Sequence, residues 1–401
     1  MPRFLCTADL HIGRESSGFA EDPSASALSA FERIVDLAIS ESVDAVLIAG
    51  DMFDGERAEF AARTRLVPAL GRLASKGIPV VAVAGNHDHA ALPTFHRNHP
   101  ALIHLFPKEL PTPLEVGGVR VIGCSFRGPQ DQRILDRFGP IDPGAPVIGL
   151  LHADVDSTGT DRRYNPVASS ELPDRGVDAW VLGHVHATRV WDGPRAFYPG
   201  SPQALDPGET GIHGVRLLTW ERGRFEVSEV VPVSNVRYES PVVDVCEDES
   251  LDGAVERTLA GLRAGEERFD LRVRVRWHGD RAAAPVERTP VGDGHFYKVV
   301  EETVVRPIDL RAEAMQGDAR GQAARLMLAL DGAGEPAWHA AVERLVGSVE
   351  EQMRQHRNRI LESYRSDERF RRVLVPAASE ARDAVRRALE SVLHADREVS
   401  A

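Results

Sequence analysis

Oxygen and nitrogen donors recur through the first half of the chain, each at the close of an apolar run. Asp9 and His11 end "RFLCTADLH", Asp51 and Asp54 end "DAVLIAGDMFD", and Asn86, His87 and Asp88 fall at the end of "IPVVAVAGNHDH". His152 follows in "PVIGLLHAD", and His184 and His186 in "DAWVLGHVH". Carboxylate, amide oxygen and imidazole without thiolate form a donor set for Mn²⁺, Fe²⁺, Zn²⁺ or Mg²⁺, and the residue types do not choose among these. In a strand, His184 and His186 would turn to one side and Val185 to the other, so the pair could address a single cavity. Such a pair standing alone is also the mark of a solvated strand end. Its meaning depends on whether the other donors arrive at the same place.

The elements that would bring them there are legible as periodicity. Leu28, Phe31, Ile34, Val35 and Ala38 recur at helical intervals between the first two runs, which predicts a βαβ unit; Leu66, Leu70 and Leu73 predict a second helix before the third run. The runs are almost continuously apolar, the pattern of a sheet covered on both faces. A sixth run, "VRVIGCSF", carries no donor, and the other five all end in one. Open α/β sheets build their sites outside the carboxyl ends of their strands, so this topology would make the donors converge. Gly50 and Gly85 are expected to let the backbone turn tightly beside them. His89, His96, His99 and His104 read as surface or loop histidines.

With 401 residues, 42% hydrophobic and 27% charged, the chain has a globular composition and length for two or three domains. No apolar run approaches the ~20 residues needed to span a bilayer. The start "MPRFLCTADLHIG" lacks the basic and apolar segments of a signal peptide, so a cytoplasmic location without membrane attachment is expected. Cys6, Cys124 and Cys246 stand far apart with no CxxC, which excludes a zinc knuckle or a disulfide framework and reads as small core residues. A formal net charge of −13 argues against passive, charge-driven binding to nucleic acid. Any such contact needs local basic surface, bound cations or a partner. Lysine occurs only at Lys76, Lys108 and Lys298, so positive charge is carried by arginine, the better residue for bidentate phosphate contacts.

Five blocks stand in order: DLH (9–11), GDMFD (50–54), GNHD (85–88), His152 and GHVH (183–186). Together they resemble the calcineurin-like metallophosphoesterases over residues 1–232. The resemblance implies an α/β fold, a calcineurin-like phosphoesterase β-sandwich flanked by helices, holding two divalent metal ions, with manganese foremost and magnesium, iron or zinc as alternatives. It puts Asp9, His11 and His186 on one metal and Asn86, His152 and His184 on the other, with Asp51 bridging. Such a pair of cations lowers the pKa of a bridging water and neutralises charge developing on a phosphoryl group during in-line attack. His87 matches the family's catalytic histidine, which would protonate the leaving oxygen or stabilise the transition state. Asp88 either orients that imidazole or caps the following turn. Asp54 stands where archaeal and eukaryotic relatives carry a second catalytic histidine and bacterial relatives commonly have GDxFD; its implied role is to orient a histidine.

Beyond the blocks, "FYPGSPQALDPGETGIHG" (197–214) is similar to the PGS segment of the SbcD-type DNA repair nucleases, whose chains also continue past the catalytic core. "VRYESPVVDV", "FDLRVRVRW" and "HFYKVVEETVVRP" read as strands of a small αβ capping domain over residues 233–330. On the second of these, Arg272, Arg274 and Arg276 share one face, opposite Leu271, Val273, Val275 and Trp277. That stripe either tracks a phosphate backbone or is a solvated face paired with Asp270 and Asp280. After "DGAGEP" the chain reads as a helical C-terminal region, 331–401, with an apolar stripe through Trp338, Val342, Leu345, Val349, Met353 and Ile360. The stripe packs on the protein's own body or, as the resemblance implies, docks on an SbcC-type ABC ATPase. A homodimer through the segments after Asp54 and Asp88 stays open. The implied function is a metal-dependent DNA phosphodiesterase, a 3′–5′ exonuclease with endonuclease action as an option, in DNA repair. The alternatives are a phosphodiesterase for small nucleotides or other small phosphoesters, and a non-catalytic DNA-binding subunit, whose expected mark would be lost ligands.

Overall fold

The computed structural model describes residues 1–305 apart from 20–21, 110–112, 139–140, 142–143, 157–163, 174–175, 192–194, 246–248, 263–267, 279–288 and 293–294, and beyond them 311, 314–315, 321–322, 324–325 and 327–328. The helical region expected over 331–401, with its stripe from Trp338 to Ile360, lies outside the described residues. Among the described residues no helix is long and apolar enough to cross a membrane.

The chain begins β1 (Arg3–Thr7), α1 (Ala27–Ser40), β2 (Ala45–Ala49), α2 (Glu56–Ser75), β3 (Val80–Val83), α3 (Ala91–Asn98) and β4 (His104–Leu105). It continues through β5 (Leu114–Val116), β6 (Val119–Gly123), β7 (Val147–His152), β8 (Asp154–Val155), β9 (Pro166–Val167), β10 (Ala179–Gly183), β11 (Arg189–Trp191) and β12 (Ala196–Tyr198). β13 (Gly214–Glu221), β14 (Arg224–Val227) and β15 (Val231–Pro232) close this part. Two sheets result, one in the order β14-β13-β1-β2-β3-β4 with β15 beside β13, the other β11-β12-β10-β7-β6-β5. β1 to β4 run parallel, as do β6, β7, β10 and β12, so the ends of the donor-bearing strands collect on one side.

Alternation along the strands makes the sandwich. In β2, Ala45, Leu47 and Ala49 face the second sheet, against Ile148, Leu150, Val181 and Phe197, while Val46 and Ile48 face the helices. There they meet Phe31, Ile34 and Val35 of α1, Leu66 and Leu70 of α2, and Leu92 and Phe95 of α3. The outer face of the second sheet is covered by Ile134, Leu135 and Phe138 packed on Leu151, Trp180 and Leu182. Each large apolar side chain so buried contributes about 1.5–3 kcal/mol. The near-continuous apolar runs are explained by this arrangement: both faces of each sheet are dry. The helix α1 starts where Ser26, in an extended conformation, accepts the Ser29 N–H on its Oγ at 3.2 Å, a cap worth ~1 kcal/mol. His104, in β4, is exposed, as expected of a surface histidine, whereas His96 lies in α3 and is half-buried.

A further sheet follows, built from β16 (Val236–Glu239), β17 (Val242–Val245), β18 (Arg268–His278), β19 (Thr289–Gly292) and β20 (His295–Val305), with α4 (Leu251–Leu262) between β17 and β18. Its order is β16-β18-β20-β19, with β17 beside β18. The stretch 236–245 divides at Ser240–Pro241 because proline has no N–H to give a ladder. On β18, Phe269, Leu271, Val273 and Val275 are buried while Arg272 and Arg274 are exposed, the alternation expected of a sheet with one dry face. The described residues of 1–245, 249–275 and 284–302 form one compact unit, whose limits cut β18 and β20 near their ends.

Candidate metal centre

The loops at the carboxyl ends of the parallel strands are laced to each other before any side chain is considered. Asp9 N–H donates to the Gly50 carbonyl at 3.1 Å, His11 N–H to Asp51 at 3.0 Å and Ile12 N–H to Met52 at 2.9 Å. Asp88, fully buried, fastens the third loop to the second: its carboxylate accepts N–H groups from Met52 (2.8 Å), Phe53 (3.3 Å) and Gly85 (2.8 Å). These bonds go to backbone amides, and neither role expected of Asp88, orienting the His87 ring or capping the next turn, is what they perform. Burial first, and then the neighbouring Asp51 charge, push its carboxyl up to about 7 against the amides that favour the charge.

The backbone is held in costly conformations at the donors themselves. Asp9, His11, Asp51 and His184 have φ of +50°, +46°, +51° and +99°, values that non-glycine residues adopt rarely and that persist where surrounding bonds over-determine them. β10 ends at Gly183, so His184 and His186 lie past the strand. The strand alternation expected to aim both at one cavity does not operate, and they reach the centre from a loop, facing different neighbours. His184 N–H donates to both oxygens of Asp9 (2.9 and 3.1 Å) and its ring lies 5.3 Å from that of His152, whereas His186 Nε2 stands 3.1 Å from His11 Nε2. Gly50 is needed here for its positive φ of +99° and for space, because a Cβ would sit 2.3 Å from His152 Nδ1. Gly85 is needed for space alone: its Cβ would fall 2.2 Å from Asp51 Oδ1.

Among the described residues three groups of donor atoms form, each within 4.8 Å: Asp9 with His11 and His186, Asp9 with Asp51 and His152, and His11 with Asp54 and His87. The first is the set expected on one metal. In the second, His152 Nε2 lies 3.3 Å from Asp51 Oδ2 and 2.9 Å from Asn86 Oδ1, so Asn86 joins it, and Asp9 touches both groups. His87 sits at the mouth with half its side chain exposed; its N–H donates to Asp51 Oδ1 at 2.9 Å. Asp54 Oδ1 lies 3.2 Å from His11 Nδ1 and 3.9 Å from His87 Nδ1, beside two histidines where one was expected. Arg272 and Arg274 stand elsewhere, on the exposed face of β18, with Arg276 half-buried further along that strand.

Whether these residues suit a cation can be asked of their lone pairs. His152 Nδ1 faces the Ala49 carbonyl at 3.0 Å and so carries the proton there, leaving Nε2 turned toward two oxygens. His11 and His186 have carboxylates, Asp54 and Glu209, at their Nδ1 atoms, so their Nε2 lone pairs confront each other. Electron-rich atoms converging in this way require a proton or a cation between them, and the donor set fits a divalent metal. The electrostatics of the residues alone make the same demand. Burial lowers the His152 imidazolium, but Asp51 and Asp9 raise it further, to about 9. Burial would raise Asp51, yet His152 holds it below the ordinary carboxylate range; Asp9 is left raised, by burial. His184 drops to about 3 through burial and the nearby His152 charge, which keeps it in the neutral form that binds metal.

Several supporting residues carry no signal in the sequence. Glu209 Oε1 lies 2.5 Å from His186 Nδ1; burial raises its carboxyl, but the bond to His186 brings it down to about 2. Asn165, fully buried at φ +49°, donates to the His152 carbonyl at 3.0 Å and accepts the Ile134 N–H at 3.0 Å. Ser125 accepts the Ala84 N–H at 2.9 Å and donates to the Phe106 carbonyl, steadying the end of β3. Glu209 falls inside the segment 197–214, yet nothing local marks its carboxylate, because its partner is 23 residues away.

Residues 2–188 match the family described as calcineurin-like phosphoesterase. Among curated proteins, the chain is 28% identical over 278 residues to "Uncharacterized metallophosphoesterase YhaO" of Bacillus subtilis (strain 168), covering 65% of this chain and 68% of that one. It is 29% identical over 298 residues to "DNA double-strand break repair protein Mre11" of Aeropyrum pernix, covering 67% and 70% respectively. A shorter match, 35% identical over 123 residues, is to a subunit of the nuclease SbcCD of Bacillus subtilis (strain 168), covering 28% of this chain and 30% of that one.

Proposed function

We propose, from the match of residues 2–188 to the calcineurin-like phosphoesterases, that the chain is a metal-dependent DNA phosphodiesterase acting in DNA repair. The observation that carries the chemistry is the convergence of lone pairs from the carboxyl ends of five strands, four of them in the loops that follow and one, His152, on the last residue of β7. The DNA substrate is supported by the relatives named for double-strand break repair and as part of a nuclease. In this reading Asp9, His11 and His186 would hold one divalent ion and Asn86, His152 and His184 the other, with Asp51 serving both. Two such ions, manganese foremost, would supply an acidified water and charge neutralisation for the phosphoryl group when bound. His87, half exposed at the mouth, gives a proton to the leaving oxygen, and Asp54 holds the His11 and His87 rings in place. Asp88 acts at one remove, by locking the loop that carries Asn86 and His87.

The exonuclease polarity, 3′ to 5′, and any endonuclease action belong to the same proposal. So does the division into 1–232, 233–330 and 331–401, in which Arg272, Arg274 and Arg276 of the middle part contact the phosphate backbone. The last part docks on an SbcC-type ABC ATPase, and the protein works in the cytoplasm, with a homodimer as a further option.

The test is Mn²⁺-dependent cleavage of end-labelled duplex and single-stranded DNA, beside a generic phosphodiester and mononucleotides. Progressive shortening from the 3′ end is expected. His87→Ala is expected to remove 10²- to 10⁴-fold of the rate with both metals still bound, the usual span for a general acid. Full activity in His87→Ala overturns the catalytic assignment. Hydrolysis of small diesters with DNA left intact, unchanged on adding the ATPase, overturns the DNA reading in favour of a small phosphoester.

A further inference from the structure

We propose that Glu209 is a positioning residue of the metal centre, fixing His186 in the tautomer and ring orientation that turn its Nε2 inward. The inference rests on the reading of His186 as a metal ligand. Both Glu209 oxygens are committed: Oε1 to His186 Nδ1 at 2.5 Å and Oε2 to the Leu205 N–H at 2.7 Å. Its side chain is only 15% exposed, so water competes little for those bonds. With Nδ1–H donating to a carboxylate, Nε2 keeps its lone pair and faces His11 Nε2 at 3.1 Å and the Asp9 side of the centre. Asp54 does the same for His11 from the opposite side, at 3.2 Å from Nδ1. The two inward nitrogens are thus each backed by an acid, one from the loop after β2 and one from the loop before β13.

The carboxylate is not carried by a loose loop. Glu209 N–H donates to the Asp206 carbonyl at 2.8 Å, and Asp206 pairs with Arg14 at 2.6 Å. The Glu209 carbonyl lies 3.2 Å from His213 Nε2, whose buried ring packs on Ser201. One residue on, Thr210 forms a bridge with Tyr238 of β16, and the Gly211 N–H donates to the Tyr238 carbonyl at 3.0 Å. Tyr238 in turn donates its hydroxyl to the Ser17 carbonyl at 2.6 Å. A residue held on both sides can hold another; carboxylates that fix a ligating histidine in this way are worth 10- to 100-fold in metal affinity.

The test uses the full chain, stripped of metal and titrated calorimetrically with Mn²⁺, as wild type, Glu209→Gln, Asp206→Asn and His186→Ala. Glu209→Gln keeps the shape and an acceptor for Leu205 but loses the charge. It is expected to weaken one of two binding events 10- to 100-fold and leave the other unchanged. In the metal-free protein, ¹⁵N-histidine spectra should show His186 protonated on Nδ1 in wild type and shifted toward Nε2 in Glu209→Gln. Asp206→Asn, which weakens the exposed Arg14 pair and keeps the backbone carbonyl that accepts the Glu209 N–H, should cost far less affinity than Glu209→Gln. Wild-type affinity and tautomer in Glu209→Gln overturn the proposal, as does an equal loss in Asp206→Asn, which would mean the loop matters and the carboxylate does not. His186→Ala separates the two readings: if it retains both metals at full affinity, His186 is no ligand and the premise falls first.

Discussion

Gly50 shows how little freedom the centre leaves a single residue. A Cβ there would meet His152 Nδ1 at 2.3 Å, on a backbone whose φ of +99° already disfavours any side chain. Gly50→Ala is therefore expected to displace His152 and cost the protein one metal, as Asp51→Ala should by removing a donor outright. Metal content after dialysis checks both, and two retained equivalents in either variant would contradict the placement. Six of the seven candidate ligands were legible as candidates because each sits in a short block with other motif residues, and His152 because it closes an apolar run between two such blocks. Glu209, Asn165 and Ser125 were not, because what they support is distant in the chain and any polar residue in a loop reads alike. Asp88 was legible as important and misread in its role, since sequence shows which residues are adjacent to His87 and not that three amides of two loops surround its neighbour's carboxylate.

At the scale of elements, period-two alternation was trustworthy where one face of a strand is packed. β18 obeys it, with Leu271, Val273 and Val275 buried and Arg272 and Arg274 exposed. Those two arginines make a prediction of their own. If they neutralise backbone phosphates, Arg272→Ala and Arg274→Ala together should weaken DNA binding regardless of sequence and reduce the slope of log affinity against log salt by about 2. A filter-binding series across salt concentrations measures it, and an unchanged slope would return the stripe to the status of a solvated face. The same alternation failed at His184 and His186, since β10 stops at Gly183, one and three residues before them, and His184 takes a positive φ. Periodicity describes a strand and says nothing about where it ends.

For the whole molecule, the expectation of an α/β sandwich flanked by helices followed from runs with both faces apolar, and the hydrophobic clusters account for it. The connection of the first sheet did not follow: β13, more than two hundred residues later, lies against β1, with Phe4 opposite Leu218. Long-range pairing of this kind leaves no local trace in a sequence. Because the donors come from strand ends and loops spread over that span, ligands stabilise the folded state as a whole. Removing metal with a chelator should lower the melting temperature, by the equivalent of ~2.7 kcal/mol for ions present at a hundredfold excess over their dissociation constant. Differential scanning calorimetry with and without chelator reads this, and coincident transitions would speak against a metal bound by the native state. The position of β1 also sets an order of events during synthesis. As the polypeptide leaves the ribosome, β1 can meet β2 early, but its other edge stays open until residues 214–221 emerge. An apolar strand with an unpaired edge is a template for stray partners. The nascent chain must therefore extend past Glu221 before that edge is covered, and until then β1 is exposed to stray pairing.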